Sequence, residues 1–120
     1  MSLPSLSILV VNWNTEILLK NCLESIYKDR DSDDWEVIVV DNNSNDGSLG
    51  MLEREFPQVI RVASDENTGF VRGNYLALEK ATGELLLLLN TDTEVEPGAL
   101  GVLLGFMVDH PKAGAVGPKL

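Results

Sequence analysis

The chain has 120 residues, 44% of them hydrophobic, and a formal net charge of −10. That length suits one globular domain, residues 1–120, able to bury a core without disulfide or metal staples. The negative balance excludes nucleic acid as a partner, because a phosphate backbone needs a basic face; an anionic small ligand would need a metal ion or helix amides to supply positive charge.

Residues 7–11, Ser-Ile-Leu-Val-Val, predict a first strand apolar on both faces, as a parallel strand between helix layers must be. Between Thr15 and Tyr27 the apolar Ile17, Leu18, Cys22, Leu23 and Ile26 recur at helical spacing. Cys22, the single cysteine, allows neither an internal disulfide nor a cysteine-based zinc site, and among those apolar neighbours it reads as a buried structural thiol. The acidic residues 29–34 predict a polar loop, and residues 35–40 a second buried strand. A helix follows from Asp46 to Phe56, closed by Pro57. Residues 59–62 predict a short strand near the sheet edge because Arg61 interrupts its apolar pattern.

Residues 68–80 predict a third helix with Gly83 near its carboxyl turn. The leucine run at 85–89 favours helix by propensity, but its brevity and its flanks, Gly83 before and Asn90-Thr91-Asp92 after, make residues 84–89 a fourth strand. Pro97 opens a helix reaching Val108, and Ala115-Val116-Gly117 reads as the start of another strand. Strands alternating with helices over short connections predict an α/β fold: three layers, doubly wound, on a mainly parallel sheet. Met1-Ser2-Leu3-Pro4 lacks the basic start and apolar stretch of a secretion signal, and the leucine run is far short of the roughly 20 residues that span a bilayer. The expected location is cytoplasmic, with peripheral contact at the inner face of a membrane left open.

Ligands of open parallel sheets bind beyond the carboxyl ends of the strands, and all four exits carry short polar side chains: Asn12-Trp13-Asn14-Thr15, Asp41-Asn42-Asn43-Ser44, Asp65-Glu66-Asn67-Thr68-Gly69 and Asn90-Thr91-Asp92-Thr93-Glu94. Asp41 has two readings: an acceptor for the base or ribose of a nucleotide, or a turn former. The residues after it, Asn42 to Gly47, read as turn and cap residues, one of them also touching ligand. Asn90 and Asp92, two apart after a strand, offer hard oxygen donors suited to Mg²⁺ or Mn²⁺; the alternative is a capped turn before the Pro97 helix. Gly69 permits close backbone approach at the start of a helix, and Arg72 is one of few cations available to a phosphate.

Four blocks in order, SILVVNWN at 7–14, VIVVDNNSNDGS at 37–48, ENTGFVRGN at 66–74 and GELLLLLNTDTEVEPGAL at 83–100, resemble the family 2 glycosyltransferases with the GT-A fold, in particular their rhamnosyltransferase-like branch. The resemblance covers residues 6–120. It implies a Rossmann-like half that binds a nucleoside-diphosphate sugar, UDP- or dTDP-linked, with Asn12, Asn14, Asp41, Asn43, Asn67, Gly69, Arg72, Asn74, Asn90 and Asp92 on the donor. It implies that Asp92 is the metal ligand of the family's Asp-x-Asp motif, whose first aspartate is Asn90 here. Tyr75 stands where relatives often carry asparagine and receives no role. The implied reaction is a metal-assisted inverting displacement onto a hydroxyl acceptor. Its base is expected beyond Leu120, since Asp109 and His110 read as an ordinary helix exit, so that this chain alone would be inactive and could self-associate through an uncovered face. A nucleotide- or phosphate-binding module without catalysis is the alternative. A dinucleotide oxidoreductase lacks its glycine-rich first turn, and a phosphoacceptor receiver domain lacks adjacent acids after the first strand.

Overall fold

The computed structural model describes residues 5–119; the reading of Met1 to Pro4 and the end at Leu120 lie outside the described residues. The element order is β1 (Leu6–Asn12), α1 (Glu16–Tyr27), a 3-10 turn (Arg30–Asp34), β2 (Trp35–Asp41), α2 (Ser48–Glu55), β3 (Ile60–Ala63), α3 (Gly69–Leu78), β4 (Leu85–Asn90) and α4 (Ala99–Asp109). The strands form one parallel sheet in the order β3-β2-β1-β4, with Asn12 opposite Asp41 and Val11 opposite Asn90. Every expected helix and the first four expected strands are present. The fifth, at Ala115-Val116-Gly117, is not: these residues run without ladder bonds, since a strand forms only where a neighbour accepts its amides. Residues 30–34 coil into a 3-10 turn rather than an open loop.

Side chains alternate across the strands and so divide the core in two. Ile8, Val10, Val37 and Val39 pack with α1, α2 and α4 through Leu19, Leu23, Ile26, Met51, Leu52, Leu100 and Leu104. Cys22 lies in this layer, and burial foremost, with Asp92 and Glu94 adding to it, pushes its thiol up to about 11. On the other face Leu9, Ile38 and Val40 meet Ala77 of α3. Each such fully buried aliphatic contributes roughly 1.5–3 kcal/mol relative to exposure. β4 is covered on one face only, for a physical reason. Among the described residues the one helix on that side, α3, packs on β1 and β2, so Leu86 and Leu88 remain 48% and 60% exposed.

The amino-terminal edge is held by polar contacts. Glu36 accepts from the Ser7 hydroxyl and from the Thr82 amide and hydroxyl, while the Gly83 amide donates to Ser7 Oγ at 2.7 Å. Gly83 is required for close approach, since a Cβ there would lie 2.6 Å from the Ser7 nitrogen. Burial alone would raise the Glu36 carboxyl, but hydrogen bonds from Ser7, Thr82 and Gly83 outweigh it and hold the group below its ordinary 4.5. A depressed folded value means that this stabilisation is complete above the unfolded pKa and disappears as pH falls through the folded one. Thermal melts followed by circular dichroism should therefore separate the native chain from Glu36→Gln at pH 7 and converge as pH falls through the depressed folded value of Glu36.

Candidate active site

The carboxyl ends of β1, β2 and β4, with the start of α3, enclose a cleft of about 480 Å³ lined by Val11, Trp13, Thr15, Leu18, Asn42, Asn67, Gly69, Phe70, Asn90, Thr91 and Asp92. A second, apolar groove of about 330 Å³ between β4 and α4 is lined mainly by leucines and lies away from the polar exits. Among the described residues lining the polar cleft, one is charged, Asp92, and none is basic. An anionic ligand could therefore enter it only with positive charge of its own or bound alongside.

Four of the residues proposed from sequence line this cleft together: Asn67, Gly69, Asn90 and Asp92. The Asp92 side chain is exposed, and no hydrogen bond or ion pair among the described residues engages its carboxylate. The turn that presents it is closed by the Thr93 amide donating to the Asn90 carbonyl at 3.1 Å, while the Cys22 thiol lies 3.8 Å from that same carbonyl. Gly69 has φ +85° with open space around it, and its amide is capped by Asn67 Oδ1 at 2.9 Å. The Thr68 amide and hydroxyl both donate to Asn42 Oδ1, and Asn42 Nδ2 donates to the Gly69 carbonyl at 3.0 Å. Two amides at the start of α3 are thus already satisfied by side chains.

Asp41 and Asn12 have a different situation. Alternation along the strands turns them to the opposite face from Val11 and Asn42, where they are 1% and 0% exposed. Asp41 Oδ1 accepts from Asn12 Nδ2 at 2.9 Å and from the Ser44 hydroxyl at 2.7 Å, and Oδ2 accepts the Ser44 amide at 2.9 Å. Three bonds hold this carboxylate, two of them from side chains and one from a backbone amide. Asn14 and Asn43 occupy left-handed conformations, φ 52° and 63°, which asparagine tolerates; Asn14 Oδ1 accepts the Asn45 amide at 2.8 Å. They shape the turns around Ser44 and do not line the cleft.

Arg72 and Asn74 are not among the lining residues either. Arg72 is exposed and lies two residues beyond Phe70, about 200° around α3. Asn74 Nδ2 donates to the Phe70 carbonyl at 3.1 Å, and its buried Oδ1 has no partner. Asp109 and His110 lie at the end of α4, where the imidazole stacks on Phe106 at 3.9 Å between ring centroids.

The sequence singled out none of Trp13, Thr15, Thr91 and Phe70 as lining residues, and it reached Asn42 only through the reading that one of residues 42–47 touches ligand. Trp13 is 54% exposed and Phe70 55%. An aromatic side chain left bare between polar exits was a legible signal; that Asn42 rather than Asp41 faces the cleft followed from strand alternation.

As a metal centre, the cleft offers Asp92 and Asn90, and no group of three or more His, Cys, Asp or Glu gathers around a point among the described residues. One carboxylate and an amide do not make a protein cage. They do fit Mg²⁺ or Mn²⁺ bound mainly by water and substrate phosphates.

The family model for glycosyl transferase family 2 matches residues 7–119. The chain belongs to this family. It is 33% identical over 120 residues to the O-antigen biosynthesis protein RfbC of Myxococcus xanthus, covering 98% of this chain and 9% of that protein. It is 30% identical over 106 residues to the GalNAc(5)-diNAcBac-PP-undecaprenol beta-1,3-glucosyltransferase of Campylobacter jejuni, covering 85% and 34%. Among solved structures, the mannosyltransferase PcManGT from Pyrobaculum calidifontis, in complex with GDP-Man and Mn²⁺, superposes with a TM-score of 0.81 at 26% identity, over 91% of this chain and 34% of that one. S. aureus TarS 1-349 in complex with UDP gives 0.81 at 23% identity, over 96% and 38%, a likeness of fold. The family 2 chain thus spans less than two fifths of these relatives' lengths, and its α/β sheet is that of GT-A glycosyltransferases. No helix among the described residues is long and apolar enough to cross a membrane.

Proposed function

We propose that this family 2 chain is the donor-binding part of a glycosyltransferase that moves a sugar from a nucleoside diphosphate to a hydroxyl acceptor with inversion. The observation that carries the reading is the cleft itself. It joins a bare indole, amide side chains and an unengaged carboxylate at the carboxyl edge of a parallel sheet. Trp13 supplies a flat apolar surface for a uracil or thymine ring. Asn42, Asn67 and Asn90 offer donors and acceptors to ribose and phosphate oxygens. Asp92, helped by Asn90, holds Mg²⁺ or Mn²⁺; when bound, the ion neutralises the diphosphate and makes it a better leaving group.

Asp41 works from behind the cleft. Its three hydrogen bonds fix Asn12 and the Ser44 turn and so set the shape of the nucleoside end. The complex of PcManGT with GDP-Man and Mn²⁺ supports a nucleotide sugar and a divalent ion as the ligand pair.

Titration calorimetry with UDP and dTDP, in MnCl₂ and in EDTA, tests the reading. Binding should be Mn²⁺-dependent and should quench Trp13 fluorescence, and Trp13→Ala should weaken it roughly tenfold. Equal affinity of the native chain and Trp13→Ala would remove the stacking role.

A further inference from the structure

Thr15 stands at the N-cap of α1, where a threonine hydroxyl ordinarily accepts an amide of the first helical turn. Here it makes no such bond. The hydroxyl is directed elsewhere: it lies 2.7 Å from Asn12 Oδ1 and 3.1 Å from the Thr91 hydroxyl. Asn12 Oδ1 can only accept, so the single Thr15 proton goes to it, and Thr91 is the donor in the second contact. Asn12 in turn donates through Nδ2 to Asp41. The bonds form one directed chain, Thr91 to Thr15 to Asn12 to the buried Asp41 carboxylate, and a terminal charge polarises every link in it. Thr91 lies between Asn90 and Asp92, the two residues assigned to the cation.

We infer that Thr15 is a positioning residue for the metal end of the donor site, tying the Asn90-Thr91-Asp92 turn to the rigid floor formed by Asn12 and Asp41. The inference rests on the reading of Asp92 as the cation ligand. Asp92 itself is exposed and has no hydrogen bond of its own among the described residues. The side chain of its neighbour Thr91 therefore supplies a tether at the point where the carboxylate leaves the sheet. The helix forgoes a side-chain cap so that the hydroxyl can serve the turn.

The test uses Mn²⁺ alone, followed by electron paramagnetic resonance, and UDP titrated in MnCl₂ and in EDTA. Thr15→Val should weaken Mn²⁺ roughly tenfold, the loss typical of a supporting group around a metal ligand, and should weaken UDP only when Mn²⁺ is present. Thr15→Ser, which keeps the hydroxyl, should restore both. Thr91→Val cuts the same link from its other end and should reproduce the loss, so the inference stays testable if Thr15→Val fails to fold. Unchanged Mn²⁺ affinity in either valine variant, or equal loss of UDP binding in MnCl₂ and EDTA, overturns it. If Asp92→Ala also leaves Mn²⁺ affinity unchanged, the assignment of the cation to Asp92 falls first and this inference with it. If Asp92→Ala abolishes Mn²⁺ binding while both valine variants bind like the native chain, only the tether is refuted.

Discussion

Asp92→Ala should remove the Mn²⁺-dependent part of UDP binding, weakening affinity in MnCl₂ by at least about tenfold, while leaving affinity in EDTA equal or slightly higher. The opposite signs follow from charge. Asp92 is the one charged side chain among the described residues that line the cleft. With a cation present the carboxylate grips it, and the cation grips the diphosphate. Without one the same carboxylate repels the diphosphate, by about 1 kcal/mol at contact distances in a solvated site. The substitution should cost little stability, because the side chain is exposed and makes no hydrogen bond among the described residues. Calorimetry in the two buffers gives the result directly. An equal loss in both would mean that Asp92 touches the nucleotide rather than a metal.

For Asp41→Ala the large effect should be on stability. The carboxylate is 1% exposed, and its removal leaves the Ser44 amide without its acceptor and the Asn12 amide with only the longer contact to Ser44 Oγ at 3.3 Å. Leaving buried donors unsatisfied after loss of charge-assisted bonds costs about 3 kcal/mol, which for a domain of this size lowers Tm by about 10 °C. Asp41→Asn keeps an acceptor for Asn12 but turns an amide towards the Ser44 N–H or its hydroxyl, so its melt should fall between the two. Measured well below those melting temperatures, UDP affinity should follow the order of the melts. If Asp41→Asn melted like the native chain but no longer bound UDP, the carboxylate would be a direct nucleoside contact instead of the frame behind it.

The sequence alone determined the alternation of strands and helices, the parallel sheet and the edge where its polar strand exits gather. Each of these is written locally: apolar runs as short as residues 37–40, flanked by polar turn residues, favour strands over helices, and a polar exit lies just beyond each run. It also marked Asp92 within the Asn90-Thr91-Asp92 turn, because donors two apart after a strand are a short-range pattern.

Tertiary structure decided which polar residues bind one another and which remain available for a ligand. Asn12 meets Asp41 across 29 residues of chain and Thr15 meets Thr91 across 76, distances over which no local pattern carries information. Until the sheet orders itself β3-β2-β1-β4, Asp41 and Asp92 look like equivalent carboxylates at strand ends. Once it does, neighbouring strands and the Ser44 turn saturate the first, while the second, just past the end of β4, which among the described residues pairs only with β1, keeps its oxygens open. The same ordering leaves Leu86 and Leu88 bare, since one helix cannot cover four strands.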